Sequence, residues 1–351
     1  MSILAAAAAA ATTQPDVSAN QQFAWAVAFL LWGVGTAYIL GAFRARSLAA
    51  PARPAPESNL GAVFLLLAVA VFAWLGSQMV YFNAIRDRLP TKAGGGFDVS
   101  MFEPADMAFL GTVPALLGLV VLLIGDRLAN PALPRELGST LDRIPGALWR
   151  GLLAMVCVMP LMLGAGILLQ MLYSAVGYVH PSEHEMLTVL GKTRDTVTKV
   201  IIVGGATLLV PVFEEFLFRG HLQTVLVRLF SPRPPQPAEA QTHGFPVVQS
   251  EPIQSDAAGA VAVLDVPAIV PPVPASEVVR GPAPSAKWAA IAVTSLVFAV
   301  LHPGWTWPLI FLLSLALGYA YERTGNLWVP IVMHLAFNSV QTAIFLAQQT
   351  L

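Results

Sequence analysis

Two adjacent carboxylates and a guanidinium stand in an otherwise apolar run from Val210 to Gly220: Glu214, Glu215 and Arg219, set among Val, Phe and Leu. An ionisable side chain inside a membrane span costs roughly 2.5 to 3.5 kcal/mol on insertion scales, so its presence there asks for a function. On a helix Glu215 and Arg219 are four apart and share a face, so they can form an ion pair that offsets part of both costs. Glu214 is turned about 100° away from them by the 3.6-residue repeat. It is therefore the carboxylate with no partner nearby in sequence. An apolar setting disfavours its ionised form, the condition under which a carboxylate readily takes a proton from water.

Two later apolar runs add imidazoles. His302 closes a run in which Phe298 lies one turn earlier, and His334 is followed one turn later by Asn338. A single histidine in an apolar helix is usually a packing residue. Two of them on separate helices, with a His and Asn pair and a Glu, Glu and Arg cluster, point to one shared site. Two chemistries fit. Glu214 with His302 could activate a water while His334 and Asn338 donate to the oxyanion on a scissile carbonyl. Alternatively Glu214, His302 and His334 could hold a zinc ion with one open position for water. No His-Glu-x-x-His signature is present, so the usual sequence argument for a zinc protease is missing. The residue types leave both open.

The elements that must position these groups are membrane helices. The chain has 351 residues, 56% of them hydrophobic and 11% charged, against roughly 25% charged in a soluble domain. The apolar residues fall into eight blocks, near 22–43, 60–82, 107–125, 147–177, 199–230, 287–302, 306–322 and 327–349. A span needs about 20 such residues. The expected fold is all-α, a polytopic bundle of about eight membrane helices with the site in its C-terminal half. Two blocks exceed one straight span and are expected to overrun the membrane or bend at Pro160 and Pro211. Lys and Arg favour the connections after the first, third, fifth and seventh blocks, which puts both termini outside.

Residues 1–21 read as a disordered or interfacial leader with no basic n-region, 22–194 as N-terminal spans and 195–349 as the site-bearing region. A Pro-rich stretch at 231–286 cannot bury enough surface to fold alone and interrupts that last region as a disordered insertion. The net charge of -1 and the lack of basic and aromatic runs exclude nucleic acid as a partner. The lone Cys157 excludes a disulfide framework and reads as a small apolar side chain. Trp305, Trp307 and Trp328 read as headgroup anchors. His221 lies near the face of Glu214 without being needed by the pattern. The His180, Glu183, His184 and Glu185 cluster reads as a solvated loop and His243 as part of the insertion.

The ordered set of Glu214, Glu215 and Arg219, then Phe298 and His302, then His334 and Asn338, resembles the CPBP family of CAAX proteases and bacteriocin-processing enzymes, also called Abi. The resemblance covers roughly residues 195–349. It implies a hydrolase, an intramembrane endopeptidase in which Glu214 and His302 activate water and His334 and Asn338 stabilise the oxyanion. Glu215, Arg219 and Phe298 would hold the site in shape. Members include metalloproteases and glutamate proteases, so the implied cofactor is none or Zn. The implied partners are a peptide or protein substrate, lipid-anchored ones included, and membrane lipids. The implied location is the cell membrane. The competing reading is a non-enzymatic scaffold, immunity factor or transporter that uses the same residues as a polar core.

Overall fold

The computed structural model describes residues 18–39, 59–89, 102–179, 185–231 and 283–348, with the side chains of 185–188 and 348 left aside. The leader up to residue 17, residues 232–282 of the Pro-rich segment, and His180, Glu183, His184 and His243 lie outside the described residues, as does the side chain of Glu185. The helices are α1 (Ala19–Ile39), α2 (Leu60–Ile85), α3 (Pro104–Ala129), α4 (Ile144–Ala175), the short α5 (Glu185–Lys192), α6 (Thr196–Phe230), α7 (Pro284–Val300), α8 (Trp307–Thr324) and α9 (Trp328–Gln348). No strand occurs among the described residues. Seven helical segments are long and apolar enough to cross a membrane, and α7, at 17 residues, is a shorter apolar helix in the place of the sixth block. This is a multi-pass, all-helical membrane protein.

α7 starts at Pro284, inside the stretch expected to be irregular, because proline at the first helical positions loses no hydrogen bond and already has a helical φ. The packing is centred on α6. It lies against α2 and α3 on one side and α7, α8 and α9 on the other, while α4 joins α9 and α8 to the peripheral α1. The largest core cluster accordingly draws Leu67, Leu119, Phe213, Phe218, Phe298, Ile310 and Ile331 from six helices.

Neither long block breaks at its proline. α4 runs through Pro160 over 32 residues. α6 instead widens, with π-helical turns at Gly205–Leu209 and Phe216–Gln223 around the α-helical Val210–Glu215. Its start is set by Asp195, whose carboxylate accepts from the backbone N–H of Thr198 at 2.7 Å and the Thr198 hydroxyl at 2.6 Å. Those bonds stabilise the ionised form and hold the Asp195 carboxyl below its usual range, the Thr198 hydroxyl contributing most.

A loop of the N-terminal half clamps the connection between α8 and α9. Gly138 accepts from Leu327 N–H (3.2 Å), Arg143 donates to the carbonyl of Gly325 (3.0 Å), and Asn326 donates back to that of Arg143 (3.2 Å). Gly138 has φ 69°, and a Cβ there would run into the Gly325 carbonyl. Gly138→Ala combines left-handed strain with a backbone clash and is expected to cost about 2 to 4 kcal/mol. Thermal unfolding in detergent checks this; an unchanged midpoint would remove the clamp from the account.

The tryptophans are tied to protein carbonyls, whatever their depth. The indole of Trp328 donates to Thr140 (3.1 Å) and that of Trp307 to His302 (2.7 Å), while the carbonyl of buried Trp305 accepts from Tyr173 (2.8 Å). An indole N–H at the edge of a packed bundle takes a carbonyl within its reach. Lys287, at the start of the sixth apolar block, is buried and sits 3.9 Å from buried Glu322. Cys157 is buried.

Candidate active site

The first layer of the site is built within α6. Glu215 and Arg219 are wholly buried, with Nη1 of Arg219 3.1 Å from Oε1 of Glu215, as the one-turn spacing requires. A buried pair of this kind needs further bonds to be tolerated. Arg219 finds them across the bundle, where Nη2 donates to the Ser314 hydroxyl of α8 at 2.8 Å. Its guanidinium carbon also lies 4.6 Å from the centre of the Phe298 ring. Phe298 is therefore the floor under the arginine, and Phe218 meets the same ring edge-on at 5.0 Å.

His334 of α9 closes over both glutamates. Its Nδ1 is 2.9 Å from Oε1 of Glu215, and its Nε2 is 3.7 Å from Oε2 of Glu214. A carboxylate accepts, so Nδ1 carries the hydrogen of the short bond. Glu215 thus serves two partners, and Glu214, with 13% of its side chain exposed, is the more open of the two carboxylates.

His302 approaches from the end of α7. Its Nδ1 lies 2.8 Å from the carbonyl of Phe298 and must donate to it, so in the neutral ring Nε2 carries the lone pair. The Phe298 ring touches both imidazoles, with centroids at 4.7 Å for His302 and 5.9 Å for His334. The indole of Trp307 holds the His302 backbone carbonyl. His302 and Glu214 make no direct bond.

Asn338 is placed by a vacancy in the backbone ladder. In the π-turn Val210 N–H reaches back five residues to the carbonyl of Gly205. The next residue, Pro211, has no N–H to offer the carbonyl of Ala206. The Asn338 amide supplies the donor instead, at 2.9 Å. One amide hydrogen of Asn338 is thereby committed, and the second remains for chemistry.

The structure therefore brings Glu214, Glu215, Arg219, Phe298 and His334 into direct contact, joins His302 to them through Phe298, and bonds Asn338 to Ala206 of α6. As placed, these side chains do not fit a zinc ion. His302 makes no contact with Glu214, and among the described residues no three His, Cys, Asp or Glu groups are grouped to hold a metal.

Residues 276–340 match the family model described as Rce1-like: Type II CAAX prenyl endopeptidase Rce1-like. This region is similar to that family. It holds Phe298, His302, Ser314, His334 and Asn338, and it agrees with the resemblance carried by the motifs. The matched model describes an endopeptidase family, while Glu214, Glu215 and Arg219 lie outside the matched residues and enter the site through packing. No curated protein and no solved structure matches the chain.

Sequence reasoning missed Ser314, since a serine in an apolar helix carries no pattern of its own. It also left aside Asp126 and Glu322. Asp126 ends an apolar block beside Arg127 and so reads as a span end, yet it is buried against His221 at 2.8 Å. Glu322 accepts from the side chain of Gln223 at 3.0 Å, two residues inside α8 from its end.

Proposed function

We propose that the chain is an intramembrane endopeptidase that hydrolyses a peptide bond by a metal-free, glutamate-activated water. The observation that carries this reading is the disposition of His334 between two unlike carboxylates. Glu215 is wholly buried, bonded to His334 and braced by Arg219, whereas Glu214 faces the second imidazole nitrogen with part of its surface open.

The residues divide the work as follows. A water donates one hydrogen to Glu214 and the other to the Nε2 lone pair of His302, whose Nδ1 is occupied by its own helix. Glu214 removes the proton as the oxygen attacks the scissile carbonyl. Protonated His334 donates Nε2–H to the developing oxyanion, joined by the second amide hydrogen of Asn338. With His334 in that form, two carboxylates are balanced by one guanidinium and one imidazolium, so the buried cluster carries no net charge. Glu214 then passes its proton to the leaving amine.

A substrate must reach a site held among membrane helices, which favours a membrane-associated or lipid-anchored peptide in the cell membrane. The description of the matched family adds a prenylated C-terminal CAAX segment as the first substrate to try.

The test is a digest of peptides with and without a prenylated C-terminal CAAX segment, by full-length protein in detergent, for wild type and His334→Ala, with and without a chelator. Loss of an oxyanion donor is expected to lower the rate by on the order of 100-fold to 1000-fold, and the chelator to leave it unchanged. Equal cleavage by both proteins would sink the peptidase assignment and leave a polar core without chemistry. Inhibition by chelator, restored by Zn, would sink its metal-free part.

A further inference from the structure

His221 and Asp126 form a second buried acid and imidazole pair that the chemistry above does not use. Both side chains are sealed from solvent, with Nε2 of His221 2.8 Å from Oδ1 of Asp126. The other nitrogen, Nδ1, is 2.8 Å from the carbonyl of Phe216. A carbonyl only accepts, so Nδ1 carries a hydrogen. Nε2 then either donates to the aspartate as imidazolium or accepts from the neutral acid, and one proton occupies the bond in both cases.

The placement of this pair is specific. Phe216 and His221 both lie in the wide turn, Phe216–Gln223, that follows Glu214 and Glu215 and contains Arg219. π-Helical turns are rare and concentrate at functional sites, because surroundings must hold them against relaxation to the α form. On the α8 side this turn is held by Arg219 to Ser314 and by Gln223 to Gly318 and Glu322. On the α3 side the polar strut is His221 to Asp126. Relaxing one wide turn would rotate the chain before it by about one residue, roughly 100°, and carry both glutamates off His334.

We propose that Asp126 and His221 are positioning residues for the reaction, a strut that fixes the wide turn and so aims Glu214 and Glu215 at His334. This rests on the peptidase reading, and its test separates the two. Full-length protein in detergent is compared as wild type, Asp126→Leu, His221→Asn and Asp126→Asn. Leu removes the strut. Asn at 221 keeps an amide for the Phe216 carbonyl but cannot reach Asp126. Asn at 126 can still donate to Nε2. A misplacement of about 1 Å at a reacting group costs on the order of 100-fold, so kcat is expected to fall by that much in the first two variants. KM should stay within about twofold, and Asp126→Asn within about threefold of wild-type kcat.

The second readout is the ring-nitrogen resonances of His334 in histidine-labelled protein, which should move in the first two variants and hold in Asp126→Asn. Wild-type kcat in His221→Asn, equal losses in Asp126→Leu and Asp126→Asn, or unmoved His334 resonances would each overturn the strut. If Asp126→Leu does not stay folded on size exclusion, His221→Asn and Asp126→Asn decide. If wild type cleaves no peptide, the peptidase reading fails, and the His334 resonances alone decide the strut.

Discussion

Glu214→Gln is expected to reduce peptide cleavage by on the order of 1000-fold while leaving the protein as stable as wild type, since a positioned general base contributes about 100-fold to 10,000-fold. Glutamine keeps the shape and the accepting oxygen but cannot hold the proton taken from water. Stability should barely change because Glu214 makes no bond shorter than the 3.7 Å approach to His334 and is the more exposed carboxylate of the pair. The loss should fall on kcat, as for a group that acts in the transition state. Steady-state cleavage of any peptide found to be a substrate, beside a thermal melt in detergent, is the measurement. Retained cleavage in Glu214→Gln would transfer the role of base to another group and dismantle the assignment.

Arg219→Leu should show the opposite pattern, a structural collapse of the site that reaches the whole fold. Removing one member of a buried ion pair leaves an uncompensated charge and costs about 3 to 5 kcal/mol. Here the guanidinium also holds the Ser314 hydroxyl and covers the Phe298 ring, so three helices lose a shared partner. Adding Glu215→Gln removes the stranded charge while keeping an oxygen for His334. The double variant is expected to recover about 2 kcal/mol relative to Arg219→Leu. Arg219→Lys should not rescue, because an ammonium cannot meet a carboxylate, a hydroxyl and an aromatic face with one planar group. Unfolding in denaturant or by heat gives the cycle. A double variant no more stable than Arg219→Leu would show that Glu215 is not charged in the folded protein.

The bundle was legible in the sequence because membrane insertion is a local and additive property. Each block of about 20 apolar residues satisfies its own backbone, so hydropathy finds the helix without knowledge of its neighbours. The same logic picked out Glu214, Glu215, Arg219, His302 and His334, whose cost in such blocks does not depend on what they touch. The one-turn pairing of Glu215 with Arg219 followed from helix geometry alone.

What each of those groups bonds to was decided by packing between helices distant in sequence. His334 and Glu215 are 119 residues apart, and Arg219 and Ser314 are 95 apart. No periodicity within one helix encodes which face of another it meets. The wide turns of α6 were hidden for the same reason. A strict 3.6-residue repeat gives Glu214 its 100° offset, but π-helical turns persist only when other helices supply the bonds that hold them, Asn338 at Ala206 and Asp126 at His221. The sequence by itself thus determined that this is a helical membrane protein with costly polar groups in particular spans. Only the tertiary structure decided that His334 sits between the two glutamates, and that Asp126 and Lys287 are buried with partners inside the bundle.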